Sequence, residues 1–102
     1  MRLTPQEKAD FHQRLVACLG SQAEVRRIVV FGSFANSDDP QDLDVAVFQE
    51  GSESYLPLAL RYRRLTRTIA RQIPLDIFPV RAGLQDHLFL REIDRGVTIY
   101  AR

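Results

Sequence analysis

Apolar residues recur along the chain with two different periods, and each change of period marks an element. Phe11, Leu15 and Cys18 return at helical spacing, which stacks them on one side of a helix. Thr4, Pro5 and Glu7 supply an N-cap, a first-turn proline and a capping-box acid ahead of that run, and Gly20 closes it. Val25 to Phe31 is β-branched and ends at Gly32, as suits a buried strand that runs into a tight turn. After a polar loop, 36–41, the segment DLDVAVF at 42–48 alternates, with Leu43, Val45 and Val47 on one face and Asp42 and Asp44 on the other; that predicts a half-buried strand. From about Pro57 to Gln72, Leu58, Tyr62, Leu65 and Ile69 form the stripe of a long amphipathic helix, which Pro74 stops. PLDIFPV at 74–80 alternates again, and its two prolines predict a short or edge strand. A last helix over about 84–95 ends at Gly96 before VTIY at 97–100. The order predicts an α/β (α+β) fold, a small mixed sheet packed with helices.

The 102 residues show no repeat, linker or composition shift, so a single domain spanning 1–102 is expected. At this length roughly 60–70% of the unfolded surface is buried, enough to fold without staples. The single Cys18 forms no internal bridge, and with only two histidines a Cys/His zinc site is excluded; a reducing cytoplasm fits best. The polar start and short apolar runs exclude a signal peptide and a membrane span. Fourteen basic against thirteen acidic residues give a net charge of +1, so no overall field favours nucleic acid. The distribution is uneven, however. Residues 38–53 hold six acids and no base, whereas 57–73 hold five arginines and no acid, which predicts two oppositely charged surfaces.

The candidate chemistry lies in the acidic stretch. Asp42 and Asp44, two apart on a strand, project from one face with Cα atoms roughly 6–7 Å apart. Such a pair is costly unless a proton or cation neutralises it, and hard oxygen donors suit magnesium or manganese. Asp76 lies on the polar face of another strand; if the two strands are neighbours, three carboxylates can surround one or two metal ions. Gly32 and Ser33 follow the first strand directly, where glycine lets the backbone approach a phosphate and the next N–H groups and the hydroxyl can bind its oxygens.

In this combination the chain resembles the minimal nucleotidyltransferases of the DNA polymerase beta-like superfamily. The match runs over FGSFA at 31–35, DLDVAV at 42–47, LDIFPV at 75–80 and REIDRGVTIY at 91–100. The resemblance implies that Gly32 and Ser33 hold the triphosphate of ATP or another nucleoside triphosphate. It implies that Asp42 and Asp44 ligate two Mg2+ ions, and that Asp76 completes the metal site and helps deprotonate the attacking hydroxyl. The chain is short for carrying its own acceptor domain, so a separate macromolecule is the expected acceptor. Many minimal nucleotidyltransferases pair with HEPN-domain ribonuclease toxins and silence them by adenylylating a tyrosine, and the resemblance implies the antitoxin role here. Asn36 stands where many relatives have arginine, and Gln41 where they have serine or threonine. These departures support the alternative, a binding module of the same fold that neutralises its partner by contact.

His12 and His87 lack a motif partner and read as surface or boundary residues, and Cys18 as a small buried hydrophobe. Asp38 and Asp39 read as turn formers beside Pro40. Arg63, Arg64, Arg67 and Arg71 cluster opposite the apolar stripe of their helix, with Leu60 among them. An apolar residue inside an arginine cluster is typical of contact surfaces, so this face is expected to dock a protein or its bound RNA.

Overall fold

The computed structural model describes residues 1–81 and 83–102. Helix α1 (Pro5–Leu19) begins with the expected capping box: Thr4 Oγ1 accepts from the Glu7 N–H at 3.1 Å, and Glu7 Oε1 accepts from the Thr4 N–H at 2.9 Å. Strand β1 (Val25–Phe31) follows, then a single helical turn, α2 (Ser33–Asn36), and strand β2 (Leu43–Gln49). Helix α3 (Tyr55–Leu65) and the short α4 (Arg67–Ala70) lead to β3 (Leu75–Arg81), and α5 (His87–Asp94) leads to β4 (Val97–Ala101).

The four strands form one mixed sheet in the order β3-β2-β1-β4. β1 pairs antiparallel with β2 and with β4, whereas β2 and β3 are parallel. Antiparallel neighbours need only a short connection, but a parallel pair needs a crossover, and α3 and α4 supply it. β3 lies at an edge, as its prolines predict: Pro79 has no N–H to donate, and on an edge strand one side of the backbone needs no ladder partner.

The sheet is covered on both faces. On the first, Ile28 and Val30 of β1, Leu43, Val45 and Val47 of β2 and Ile77 of β3 pack with Phe11, Leu15 and Leu19 of α1 and with Leu58, Tyr62 and Ile69 of α3–α4. On the second, Val29, Phe31, Ala46 and Val80 pack with Ile93 of α5, joined by Phe48, Phe78 and Phe89. Phe89 meets Phe31 and Phe78 edge-on, with ring centroids 5.7 and 5.5 Å apart. The second face of β2, which alternation alone had assigned to solvent, is thus largely covered beyond Asp44: Ala46 is buried and Phe48 partly so, in the cluster that Ile93 and Phe89 of α5 complete.

Three boundaries differ from the sequence pattern. The long helix expected from Pro57 begins two residues earlier and breaks at Thr66, whose buried hydroxyl donates to the Tyr62 carbonyl at 2.8 Å. A threonine that bonds back four residues bends a helix, and α4 starts afresh beyond it. The last helix begins at His87 rather than near residue 84, because Asp86 caps it, its Oδ1 accepting from the Phe89 N–H at 3.1 Å. Gly96 then turns the chain back against β1: a Cβ there would lie 2.5 Å from the Val30 carbonyl oxygen and 2.9 Å from Phe31 Cβ.

Candidate active site

The pairing of β2 with β3 sets Asp44 directly beside Asp76. Both belong to the alternate residues that face α5's side of the sheet, in register with Ala46 and Phe78. Asp42 lies just ahead of β2 and is exposed, not the strand residue that the alternation of 42–48 suggested. It remains close enough to act electrostatically on Asp44. Asp44 is half-buried, and its carboxyl is pushed above the ordinary range, first by burial and then by the charges of Asp76 and Asp42 and a hydrogen-bonding contact with Asp76. Among the described residues no ion pair involves any of the three.

The turn that follows β1 forms the other wall. Gly32 has φ +72° and ψ −151°, a region essentially restricted to glycine. A Cβ built on it would lie 2.5 Å from Asp44 Oδ2, so the missing side chain is what lets the turn close over the carboxyl. Ser33 opens α2, and its Oγ donates in a long contact, 3.4 Å, to the Asp42 carbonyl, which ties the turn to the approach of β2. Lys8 Nζ donates to the Ser37 carbonyl at 2.6 Å and lies over the Phe34 ring. The chain's only lysine thus holds the far end of α2. Asn36 Nδ2 donates to the Gly32 carbonyl at 3.1 Å, so this amide ties the end of α2 back to the turn.

The five residues singled out from the sequence, Gly32, Ser33, Asp42, Asp44 and Asp76, are therefore brought to one end of the sheet. Three carboxylates without a base, one of them partly desolvated, form a site that a hard divalent cation relieves, and in that respect the donor set fits magnesium. Among the described residues, no three acidic, histidine or cysteine side chains already stand in metal-ligating geometry. Asp44 and Asp76 instead face each other across the ladder.

The sequence pattern gave no sign of α2 or of a cleft of about 520 Å3 at the other end of β3. Tyr55 and Leu58 of α3, Phe78 to Arg81 of β3, Leu84 and Phe89 line it, with Gln49 and Ser54 the other polar contributors. These residues come from four separate segments, so no local motif could announce it. His12 is half-buried beside Phe34, its pKa lowered by burial and then by Lys8. Cys18 is half-buried against the first core rather than fully enclosed.

This arrangement of strand, glycine turn, paired acidic strands and crossover is a fold that the chain shares with solved toxin–antitoxin structures. A toxin–antitoxin crystallised with AMP-PNP matches at 15% identity over 89% of this chain and 73% of the other, with a TM-score of 0.63. A mutant form of an MntA toxin–antitoxin matches at 15% identity over 92% and 72%, with a TM-score of 0.60. MntA–HepT matches at 14% over 95% and 73%, with a TM-score of 0.55. No protein-family model and no curated protein matches the chain. No helix among the described residues is long and apolar enough to cross a membrane.

Proposed function

We propose that the protein is a magnesium-dependent nucleotidyltransferase, which transfers NMP, by the family resemblance AMP, from a nucleoside triphosphate to a hydroxyl of a macromolecular acceptor. The observation that carries this reading is the side-by-side register of Asp44 and Asp76, closed over by the φ-positive Gly32. Asp42, Asp44 and Asp76 would hold two Mg2+ ions, which when bound neutralise the carboxylates and stabilise charge on the attacking and departing oxygens. Gly32 and Ser33 are the groups that would receive the triphosphate. The acceptor oxygen forms a bond to the α-phosphorus while the bond to pyrophosphate breaks, and Asp76 takes the hydroxyl proton. Asp44, its carboxyl raised by burial and by Asp76 and Asp42, is the group whose charge most needs the metal.

The partner under this reading is a HEPN-domain toxin and the protein is its antitoxin, acting in the cytoplasm. Support comes from the sequence resemblance and from the toxin–antitoxin assemblies among proteins of the same fold. The contact-only alternative, a module of this fold that neutralises its partner without turnover, draws on Asn36: its amide is taken up by the Gly32 carbonyl and brings no positive charge to a phosphate.

Thermal unfolding with magnesium and each nucleoside triphosphate tests the first reading without any acceptor. A ligand at a hundredfold excess over its Kd adds about 2.7 kcal/mol, a rise of about 10 °C or more for a domain of this size. The rise is expected with magnesium and one nucleotide together and is lost in Asp42→Asn. No shift at millimolar ligand in the unmodified protein overturns the nucleotide reading and leaves contact as the mechanism.

A further inference from the structure

The cleft at the far end of β3 combines apolar walls with hydrogen-bond donors that the fold leaves over. Phe78 and Val80 of β3 and Phe89 of α5 line it from one side of the sheet, and Leu58 of α3 from the other. Its volume of about 520 Å3 falls among those of small-molecule sites, roughly 300–1,000 Å3.

Gln49, the last residue of β2, also lines the cleft and is only 3% exposed. Its Oε1 accepts from the Gly51 N–H at 2.8 Å, which commits the oxygen and leaves the Nε2 donors with no protein acceptor among the described residues. Burying an amide donor without a partner is costly. Nε2 is not sealed, however, since the fully enclosed side-chain atom that lacks a partner among the described residues is Arg61 Nε. The access that Nε2 keeps is the cleft.

Arg81, the last residue of β3, adds a charge. Its Nη2 donates to the Glu53 carbonyl, which holds the guanidinium at the start of α3, and no carboxylate pairs with it among the described residues. The carboxylate of Glu53 is taken by Arg61. The start of α3 is itself uncapped: the Ser54 side chain, which lines the cleft, makes no capping bond. The positive end of the helix dipole therefore meets no side-chain acceptor there.

We infer that this cleft binds a small organic carboxylate. Its apolar body lies against Phe78, Phe89 and Leu58, and its oxygens accept from the Gln49 amide, the Arg81 guanidinium and the start of α3. A guanidinium fork matches two carboxylate oxygens, and a neutral ligand would leave that charge unanswered. A phosphate dianion fits less well, because Glu50 and Glu53 flank the same loop, even though Arg26 and Arg61 hold them. A peptide strand is disfavoured too. The Pro74 carbonyl accepts from the Leu43 N–H, so the alternation of a parallel ladder turns the backbone of residues 75, 77, 79 and 81 to the open edge. Pro79 stands among them without the N–H that a further strand would need. Gln49 and Arg81 lie five residues beyond Asp44 and Asp76 on the same two strands, roughly 16 Å away. Binding there needs neither metal nor nucleotide.

The experiment titrates hydrocinnamate into the isotope-labelled full chain and follows backbone and side-chain amide signals by NMR at neutral pH. Hydrocinnamyl alcohol, hydrocinnamyl phosphate and acetyl-glycyl-phenylalanine serve as comparisons. Hydrocinnamate is expected to saturate, to move the Gln49 side-chain NH2 signals, and to bind at least ~10-fold more tightly than the other three, as hydrogen bonds to a charged group allow. Arg81→Gln, at an exposed position, is expected to weaken binding at least ~10-fold in a spectrum that otherwise stays dispersed. Gln49→Glu keeps the acceptor for the Gly51 N–H and replaces the donors by a like charge, so it is expected to weaken binding further; if that variant does not fold, Arg81→Gln decides alone. Absence of saturation, equal binding of the alcohol, or an unchanged Kd in Arg81→Gln overturns the inference. Tighter binding of the phosphate or of the peptide overturns it as well and assigns the cleft to that class. Displacement of hydrocinnamate by magnesium with a nucleoside triphosphate makes the cleft part of the nucleotide site and overturns it as a site apart, whereas simultaneous binding supports it.

Discussion

Two acidic clusters in this molecule have opposite fates. Glu24, entering β1, accepts from the Tyr62 hydroxyl at 2.7 Å and pairs with Arg61 at 3.1 Å; Arg61 also holds Glu53 at 2.5 Å. Burial tends to raise the Glu24 carboxyl, but the hydrogen bonds from Tyr62, from its own backbone and from Arg61 outweigh it and hold the group below its usual range. Tyr62 is driven well above its ordinary range, by burial first and then by Glu24. At the other cluster, Asp42, Asp44 and Asp76 have each other and no base, and Asp44 moves the opposite way. The difference teaches how to tell a structural acid from a chemical one here. Where opposite charges meet, the charge is spent on fastening α3 to the sheet; where like charges are held together, a cost is maintained that a proton or a bound cation relieves.

The largest break in this comparison comes from Asp44→Asn. It is expected to reduce nucleotide transfer at least ~100-fold, since even outer-sphere changes at metal sites cost 10–100-fold, and to raise the melting temperature at neutral pH by removing a strained charge. A variant that is both inactive and less stable would show that Asp44 is a structural acid after all. Gly32→Ala comes next. The strained backbone costs about 1–3 kcal/mol, and the new methyl group pushes on the Asp44 carboxyl. Chemical denaturation should show that loss together with loss of the magnesium-dependent nucleotide shift.

Tyr62→Phe sharpens the other side. It leaves the ring buried but removes a hydrogen bond to a charged group, worth about 1.5–3 kcal/mol, with nucleotide binding unaffected. The smallest effect is in the pH dependence. Asp44, raised above its unfolded value of 3.8, makes the fold more stable as pH falls through its native pKa toward that value. Glu24, lowered below 4.5, contributes stability that is present above pH 4.5 and lost as pH falls through its native pKa. Acid titrations of stability should therefore show Asp44→Asn losing the gain and Glu24→Gln losing the later decline.

Much of this was legible in the sequence because it is local. Thr4 and Glu7 are three residues apart, the acids of 42–44 sit on one alternating run, and Gly32 follows directly on β1. What escaped is set by residues distant along the chain. Glu24 and Tyr62 are 38 residues apart, and nothing near either marks the other. The second face of β2 reads as solvent-facing until α5 arrives to cover it, and the cleft draws on four segments. Thr66 was hidden differently: it lies inside an unbroken amphipathic pattern, and only its bond back to Tyr62 reveals the bend. The neighbourhood of Asp44 and Asp76 was foreseen only conditionally, since period-2 patterning fixes a face but not which strands pair.

That last pairing has a consequence for how the site comes into being. Side chains alternate along a strand, so a slip of β3 against β2 by one residue would turn Asp76 under α3 and bring an apolar neighbour to its place. A slip by two restores the face but moves the carboxyl by a full repeat, away from Asp44. No partial arrangement exists between these states. Assembly of the three carboxylates is thus a digital event, and the site itself reports whether the chain has folded in register.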